Sequence, residues 1–340
     1  MGRLVTVVLI TWNSAACLRR CLEGIAGQTH PDLELIHVDN ASADDCVARV
    51  RERFPDARQI VNAANRGFAA AANQAIRITR GDFVALCNPD AFLTPDYLAN
   101  IVAAFDSTGE SFGAATGTLV RGRGNDIEPT TEIDSLGIRM TRSGRHFDIT
   151  VCRPALVCGP ALAGRPAEAG PHTKTGPHTN EVFGVSGAAA VYRKTFINSV
   201  TINDEFFDED FFAYREDADV AWRGRLFGWR AMHVPEAIAY HVRAVTPERR
   251  RTLPPLINMH SVKNRFLLRL KNEGLYLAIR NAPFELTRDA MVIGAALTIE
   301  RSSLPALAWL WRNRGRILEK RRAIQRRRRV SDRELAKWFR

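Results

Sequence analysis

The chain has 340 residues, 46% of them hydrophobic, which is enough to close a sizeable core and excludes a disordered protein. Its six scattered cysteines exclude a disulfide-stapled secreted scaffold and indicate a reduced, cytosolic protein. The formal net charge is +11, yet residues 312–340 hold 13 Lys or Arg against three acids, so the basic character belongs to the tail and the body is near neutral. No secretory h-region follows Met1-Gly2-Arg3. The longest weakly polar stretch, Ala290 to Ile299, is about half of the roughly 20 residues that a membrane-spanning helix needs, so no span is expected.

Leu4 to Ile10 is rich in β-branched residues and predicts a strand ending at Thr11-Trp12-Asn13, with Ser14 as N-cap of a helix reaching Gly27. Leu33 to Val38 predicts a second strand, closed by Asp39-Asn40-Ala41-Ser42 and followed by a charged helix over 44–53. A third short strand, Arg58 to Val61, leads to Asn65-Arg66-Gly67-Phe68 and an Ala-rich helix over 69–79. The fourth strand, 82–87, is a continuous apolar run suited to burial on both faces. Pro89 cannot continue a central ladder, so this strand delivers Asn88-Pro89-Asp90 to its carboxyl end. Strands alternating with helices in this way predict a parallel, doubly wound sheet, whose ligands bind beyond the carboxyl ends of the strands.

A helix over 97–105 and a strand over 113–120 are expected next, after which periodicity weakens. Residues 151–180, rich in Pro, Gly, Ala and Thr, read as a mobile loop or insertion. Within them Cys152, Cys158, His172 and His178 are spaced more widely than zinc pairs usually are. An acidic, aromatic segment over 203–214 precedes a helix from Arg215 to near Gly228. Its first turn carries Glu216, Asp217 and Asp219, acids that suit the positive end of a helix dipole. Strands are expected over 229–234 and 237–242, and helix from Met259 onward.

Thr11 and Asp39 end adjacent strands, where a carboxylate can accept from a pyrimidine N–H or a ribose hydroxyl. Asn65-Arg66-Gly67 joins a turn tolerant of left-handed backbone to a cation at a helix start, a geometry suited to a pyrophosphate. Asp90 is a candidate ligand for Mg²⁺ or Mn²⁺, which take oxygen donors and complete their shell with substrate phosphates.

Several stretches in order, Val7 to Asn13, Val38 to Asp44, Asn65 to Asn73, Asn88-Pro89-Asp90, Phe183 to Ala189 and Glu216-Asp217, resemble a family 2 glycosyltransferase. The similarity runs from residue 4 to about 245 and is strongest to bacterial rhamnosyltransferase-like members. It implies an α/β, GT-A (Rossmann-like) nucleotide-sugar-binding domain with a mixed sheet over 1–250 and a C-terminal helical, basic extension over 251–340. It further implies that Thr11, Asn13, Asp39, Asn65, Arg66, Gly67 and Asn88 meet the nucleotide sugar, and that Asp90 and His241 hold Mg²⁺ or Mn²⁺. Asp217 would be the general base, with Glu216 raising its pKa or holding an acceptor hydroxyl. Arg223 and Arg243 are candidates for phosphate. The family more often has two acids one residue apart where Asn88 and Asp90 stand, so cation affinity without nucleotide is expected to be weak.

The implied reaction is inverting transfer of rhamnose or another hexose from a dTDP- or UDP-linked donor to a hydroxyl of a cell-surface glycan or lipid-linked acceptor. A sugar-phosphate nucleotidyltransferase would instead need a Gly-rich basic loop after the first strand, where Thr11-Trp12-Asn13-Ser14 stands. The other alternative is a non-catalytic nucleotide-sugar- or glycan-binding protein with a membrane-binding tail. In the tail, Leu304 to Trp311 precedes the cationic run Lys320 to Arg329, an order that suits a helix in an anionic membrane interface with Trp309, Trp311, Trp338 and Phe339 as anchors. The expected location is cytoplasmic, peripheral on the inner face of the cell membrane; no RNA-binding aromatic motif supports a nucleic acid partner.

Overall fold

A computed structural model describes residues 3–150, 180–243 and 255–340. The first half alternates as its periodicity requires: β1 (Val5–Thr11), α1 (Ala15–Ala26), β2 (Leu33–Asp39), α2 (Cys46–Arg53), β3 (Arg58–Val61), α3 (Phe68–Ile78), β4 (Phe83–Cys87), the short β5 (Ala91–Leu93) and α4 (Tyr97–Ser107). Then come β6 (Phe112–Arg123), β7 (Glu128–Ser135), and a hairpin of β8 (Ile138–Met140) and β9 (His146–Asp148). The chain continues through β10 (Asn180–Val182), β11 (Ala190–Arg193), α5 (Lys194–Val200), α6 (Glu216–Leu226) and β12 (Arg230–His241). Five helices finish it: α7 (Pro255–Asn272), α8 (Leu275–Thr298), α9 (Pro305–Arg312), α10 (Arg314–Arg326) and α11 (Asp332–Leu335).

The main sheet runs β10-β12-β6-β11-β4-β1-β2-β3, with β5 on β12 and β7 on β6. It is mixed: β1 to β4 are parallel, β11 is antiparallel to both β4 and β6, and β12 is parallel to β6. The carboxyl ends of β1, β2, β4, β6 and β12 therefore lie on one edge, and the reversal of β11 brings its amino end there too. Alternate residues of β1 feed two cores, as the strand period requires. Val8 and Ile10 pack with α3 and α6, while Val7 and Leu9 pack with α1 and α4. The small Ala69, Ala71, Ala72 and Ala75 bring α3 close to the sheet.

Three local expectations are corrected. The side chain of Ser14 makes no cap bond; Asp44 Oδ2 instead accepts from Ala15 N at 2.9 Å, so the loop after β2 caps the first helix. The two strands expected over 229–242 are one, β12, which shifts register between Val234 and Ile238 because Pro235 cannot donate to the ladder. Arg223 lies inside the fold, 2.9 Å from Asp219, and donates to the carbonyls of Val200 and Phe206, so it faces no phosphate. The expectation of a loop over 151–180, and the zinc spacing within it, lies outside the described residues apart from Asn180.

The C-terminal helices are bolted to the body. Lys320 Nζ reaches Glu205 at 2.9 Å, Asp208 at 2.6 Å and Asp210 at 3.1 Å, and the buried Lys271 pairs with Asp208 and Asp219. Glu205, Asp208 and Asp210 are thus counter-charges of the C-terminal helices, and burial makes the lysine pairs costly to break. Phe339 is 1% exposed against Phe183 and Trp222, and Trp338 lies against Phe183 and under Arg225. These two rings serve the core, which corrects their expected role as membrane anchors.

Candidate active site

At the carboxyl ends of β1 and β2, Thr11 and Asp39 are fully buried and bonded to each other, Oγ1 donating to Oδ1 at 2.8 Å. Asp39 Oδ2 accepts from Ser42 N at 2.9 Å, and Asn13 Oδ1 accepts from Ala43 N at 2.7 Å, so the loops after the two strands brace one another. Asn40, which sequence reasoning passed over, clamps the next loop. Its Nδ2 donates to Asn65 Oδ1 at 2.9 Å and its Oδ1 accepts from Arg66 N at 3.0 Å. Gly67 has φ +82°, and a Cβ there would sit 2.6 Å from Phe212, so only glycine lets this loop approach the 211–215 segment. Thr11, Asn13, Asp39, Asn65, Arg66 and Gly67 are thereby brought together.

Asn88 and Asp217 are joined through one dipeptide ahead of β11. Asn88 N donates to Ala188 O at 2.9 Å, and Gly187 N donates to Asp217 Oδ2 at 3.2 Å. Beyond Asn88, Asp90 O accepts from Val242 N at 3.0 Å, and Asp90 Oδ1 lies 3.4 Å from His241 Nε2 at the end of β12. His241 Nδ1 is 2.9 Å from Asp134 Oδ2, Arg243 forks onto the same carboxylate, and Arg243 also reaches Asp148 at 2.6 Å. Burial works against charge on both members of the His241–Asp134 pair. Their mutual hydrogen bond wins, raising His241 to about 9 and holding Asp134 at about 2. Asp134 and Asp148 were not foreseen. No alternation marks Asp134, which is buried together with its neighbours Ser135 and Leu136.

Asp217 opens α6 with its carboxylate on two backbone donors, Gly187 N and Ala218 N, the latter at 2.7 Å. Burial, then the charge of Asp148, push it up to about 6 against those donors and Arg215. Glu216 is turned inward, buried, with Oε2 lacking a partner; burial, then Asp217, push it up to about 8. The acid that raises Asp217 is therefore Asp148, and Glu216 is the neutral neighbour. The loop ahead of this helix carries left-handed backbone at Phe212, Tyr214 and Arg215. It is pinned by α7: Asn264 Nδ2 donates to the carbonyls of Phe211, Ala213 and Tyr214 at 2.8–2.9 Å, and His260 stacks on Phe212.

Residues 6–157 match the profile described as Glycosyl transferase family 2. Over that stretch the chain is similar to family 2 glycosyltransferases. Over 259 residues, 72% of this chain and 78% of the relative, it is 26% identical to the N-acetylglucosaminyl-diphospho-decaprenol L-rhamnosyltransferase of Mycobacterium tuberculosis. It is 27% identical over 124 residues, 32% of this chain, to the putative glycosyltransferase EpsH of Bacillus subtilis, and the match spans only 36% of that relative's length. The mannosyltransferase PcManGT from Pyrobaculum calidifontis, solved with GDP-Man and Mn²⁺, superposes with a TM-score of 0.52 at 19% identity, covering 95% of this chain and 85% of that one. That likeness establishes the GT-A fold of the glycosyltransferase domain. The shared edge of the mixed sheet is where Thr11, Asp39, Asn88 and His241 all emerge.

Proposed function

We propose that this domain transfers a sugar from a nucleoside diphosphate donor to a hydroxyl of a glycan or lipid-linked acceptor, with inversion at the anomeric carbon. The observation that carries the reading is the fastening of Asn88 and Asp217 to the two ends of Gly187-Ala188, which holds the end of β4 and the Asp217 carboxylate side by side and supports a diphosphate next to a base. Asp217, raised toward neutrality, accepts the proton of the acceptor hydroxyl. The freed oxygen bonds to the anomeric carbon as the carbon–oxygen bond to the diphosphate breaks, and the nucleoside diphosphate leaves.

Asp90 and His241 fit a divalent cation. Asp134 fixes the ring from Nδ1, so Nε2 faces the Asp90 carboxylate, an arrangement in which a carboxylate orients a metal-binding histidine. Bound there with the substrate's phosphates, Mg²⁺ or Mn²⁺ would neutralise charge on the leaving diphosphate. Thr11, Asn13 and Asp39 shape the nucleoside side, and Asn65, Arg66 and Gly67 the diphosphate side. Rhamnose is the first choice of sugar because the relative with 78% coverage is an N-acetylglucosaminyl-diphospho-decaprenol L-rhamnosyltransferase.

Peripheral attachment to the inner membrane face has support in α8. Among the described residues no helix is long and apolar enough to cross a membrane. Leu275, Ile279, Leu286, Ala290 and Leu297 recur at four- and seven-residue spacing and are all exposed, Ile279 by 67%. Trp311, 70% exposed, and the exposed Arg312, Arg314 and Arg322 supply an aromatic anchor and cations for anionic lipid.

The test is turnover of a nucleotide-sugar panel with a prenyl-diphosphate-linked acceptor, with Mn²⁺ and with EDTA. Transfer that needs the cation and gives the inverted linkage supports the reading. No turnover of any donor, or retention of configuration, contradicts it.

A further inference from the structure

A crowd of guanidinium groups lies where the β8–β9 hairpin meets α7 and α8. The hairpin turn rests on both helices: Arg142 donates to the Arg280 carbonyl at 3.1 Å and stacks over Phe284, and Gly144 lies against the stem of Arg269. Arg269 is neutralised by Glu285 at 2.9 Å and by Asp289. One helical turn earlier on α7, Arg265 is 5% exposed and its Nη1 meets no partner; on α8, Arg288 has a buried, unpartnered Nε. Arg215, two residues before Asp217, places Nη1 3.2 Å from His146 Nδ1 and so brings the base-carrying loop to the same spot.

The crowding has electrostatic consequences. Burial, then Arg215, Arg288 and Arg145, lower Arg265 to about 9, with Asp289 the acid that opposes them. Burial, then Arg215, Arg145, Arg243 and Arg265, hold His146 well below its usual value, so the imidazole is neutral. A guanidinium nitrogen buried without a hydrogen-bond partner, as Arg265 Nη1 and Arg288 Nε are, is costly, and an anion with several oxygens is what the fork geometry fits.

We propose that Arg265 and Arg288, with Arg145 and Arg215 beside them, seat the diphosphate that joins the acceptor sugar to its lipid carrier. This rests on the reading of the chain as a transferase with a lipid-linked acceptor. Arg215 puts the seat on the Asp217 side, where the acceptor hydroxyl must arrive, while the donor diphosphate belongs at Asp90 and His241. Arg288 is nine residues beyond Ile279, half a turn away in angle, so α8 shows its apolar stripe to lipid and turns this cation inward.

The test is binding of farnesyl diphosphate to the full chain in EDTA, by titration calorimetry, without any transfer step. Arg265→Gln and Arg288→Gln are expected to weaken binding at least about tenfold, as loss of a charged hydrogen bond does. Arg265→Lys and Arg288→Lys keep the charge and should retain most of the affinity. Thermal melting confirms folding, and a Gln variant that fails to melt cooperatively is replaced by comparing the two Lys variants with wild type, both being expected to bind. UDP and dTDP should not displace the probe. Displacement by either would give the arginines to the donor and overturn the proposal, as would equal binding by both Gln variants or none by wild type. Probe binding by a protein that transfers no sugar would instead count against the proposed function alone.

Discussion

His241 is held from behind by Asp134, with Nδ1 2.9 Å from Oδ2, and this leaves Nε2 aimed at Asp90. Asp134 is fully buried and shared with Arg243, so it orients the ring and keeps its basicity high. Asp134→Asn is expected to reduce Mn²⁺ affinity, measured with nucleoside diphosphate present, by about 10- to 100-fold. Unchanged Mn²⁺ affinity in a folded Asp134→Asn protein would remove His241 from the cation site.

Asp217 must be ionised to accept a proton, so kcat/KM should fall below about pH 6, where its carboxylate takes up a proton. Asp148 is the neighbouring charge that raises it, and a negative neighbour disfavours ionisation. Asp148→Asn should therefore move the acid limb to lower pH. A limb that stays put or moves up would show that another group titrates.

Glu216, pushed up to about 8, is protonated in the folded protein at neutral pH but ionised when unfolded. The folded state then binds more protons than the unfolded state between the ordinary carboxylate range and about pH 8, and stability falls as pH rises through that window. Glu216→Gln removes this dependence. It should raise Tm at pH 7.5, flatten stability against pH, and keep transfer within about threefold of wild type, since a neutral acid is replaced by a neutral amide. A lower Tm, or loss of transfer, would mean that Glu216 works as a carboxylate.

The first four strands were legible because Val5 to Ile10 and Phe83 to Cys87 are buried on both faces and therefore read as continuous apolar runs. Their ends, with Thr11, Asp39 and Asn88, followed from the same pattern. Asp134 and Asp148 were hidden because β7 and β9 are short or half-exposed and polar along their length, so no period marks them. The reversed β11 gave no sign of its direction either. Only tertiary pairing reveals that Gly187-Ala188 joins Asn88 to Asp217. The fastening of the C-terminal helices to the body was hidden too, because Lys271 and Lys320 find their acids 50 to 115 residues away in sequence. That distance cannot be read from local composition.

If α8 lies on the membrane, Ile279→Glu with Leu286→Glu should abolish sedimentation with vesicles containing anionic lipid while leaving Tm within a few degrees, because both side chains are solvent-exposed. Removing cations instead, by Arg312→Gln with Arg314→Gln, should weaken binding and reduce its salt dependence. Undiminished sedimentation of the double Glu variant would place the contact elsewhere.

The proposed transfer depends most on Asp217 as the group that takes the acceptor's proton. Transfer by Asp217→Asn, measured against the wild type with saturating donor and Mn²⁺, is the most direct test. The expected result is a loss of at least about a hundredfold in kcat, in line with the worth of a positioned base, with donor binding retained. Transfer at the wild-type rate in that variant would contradict it.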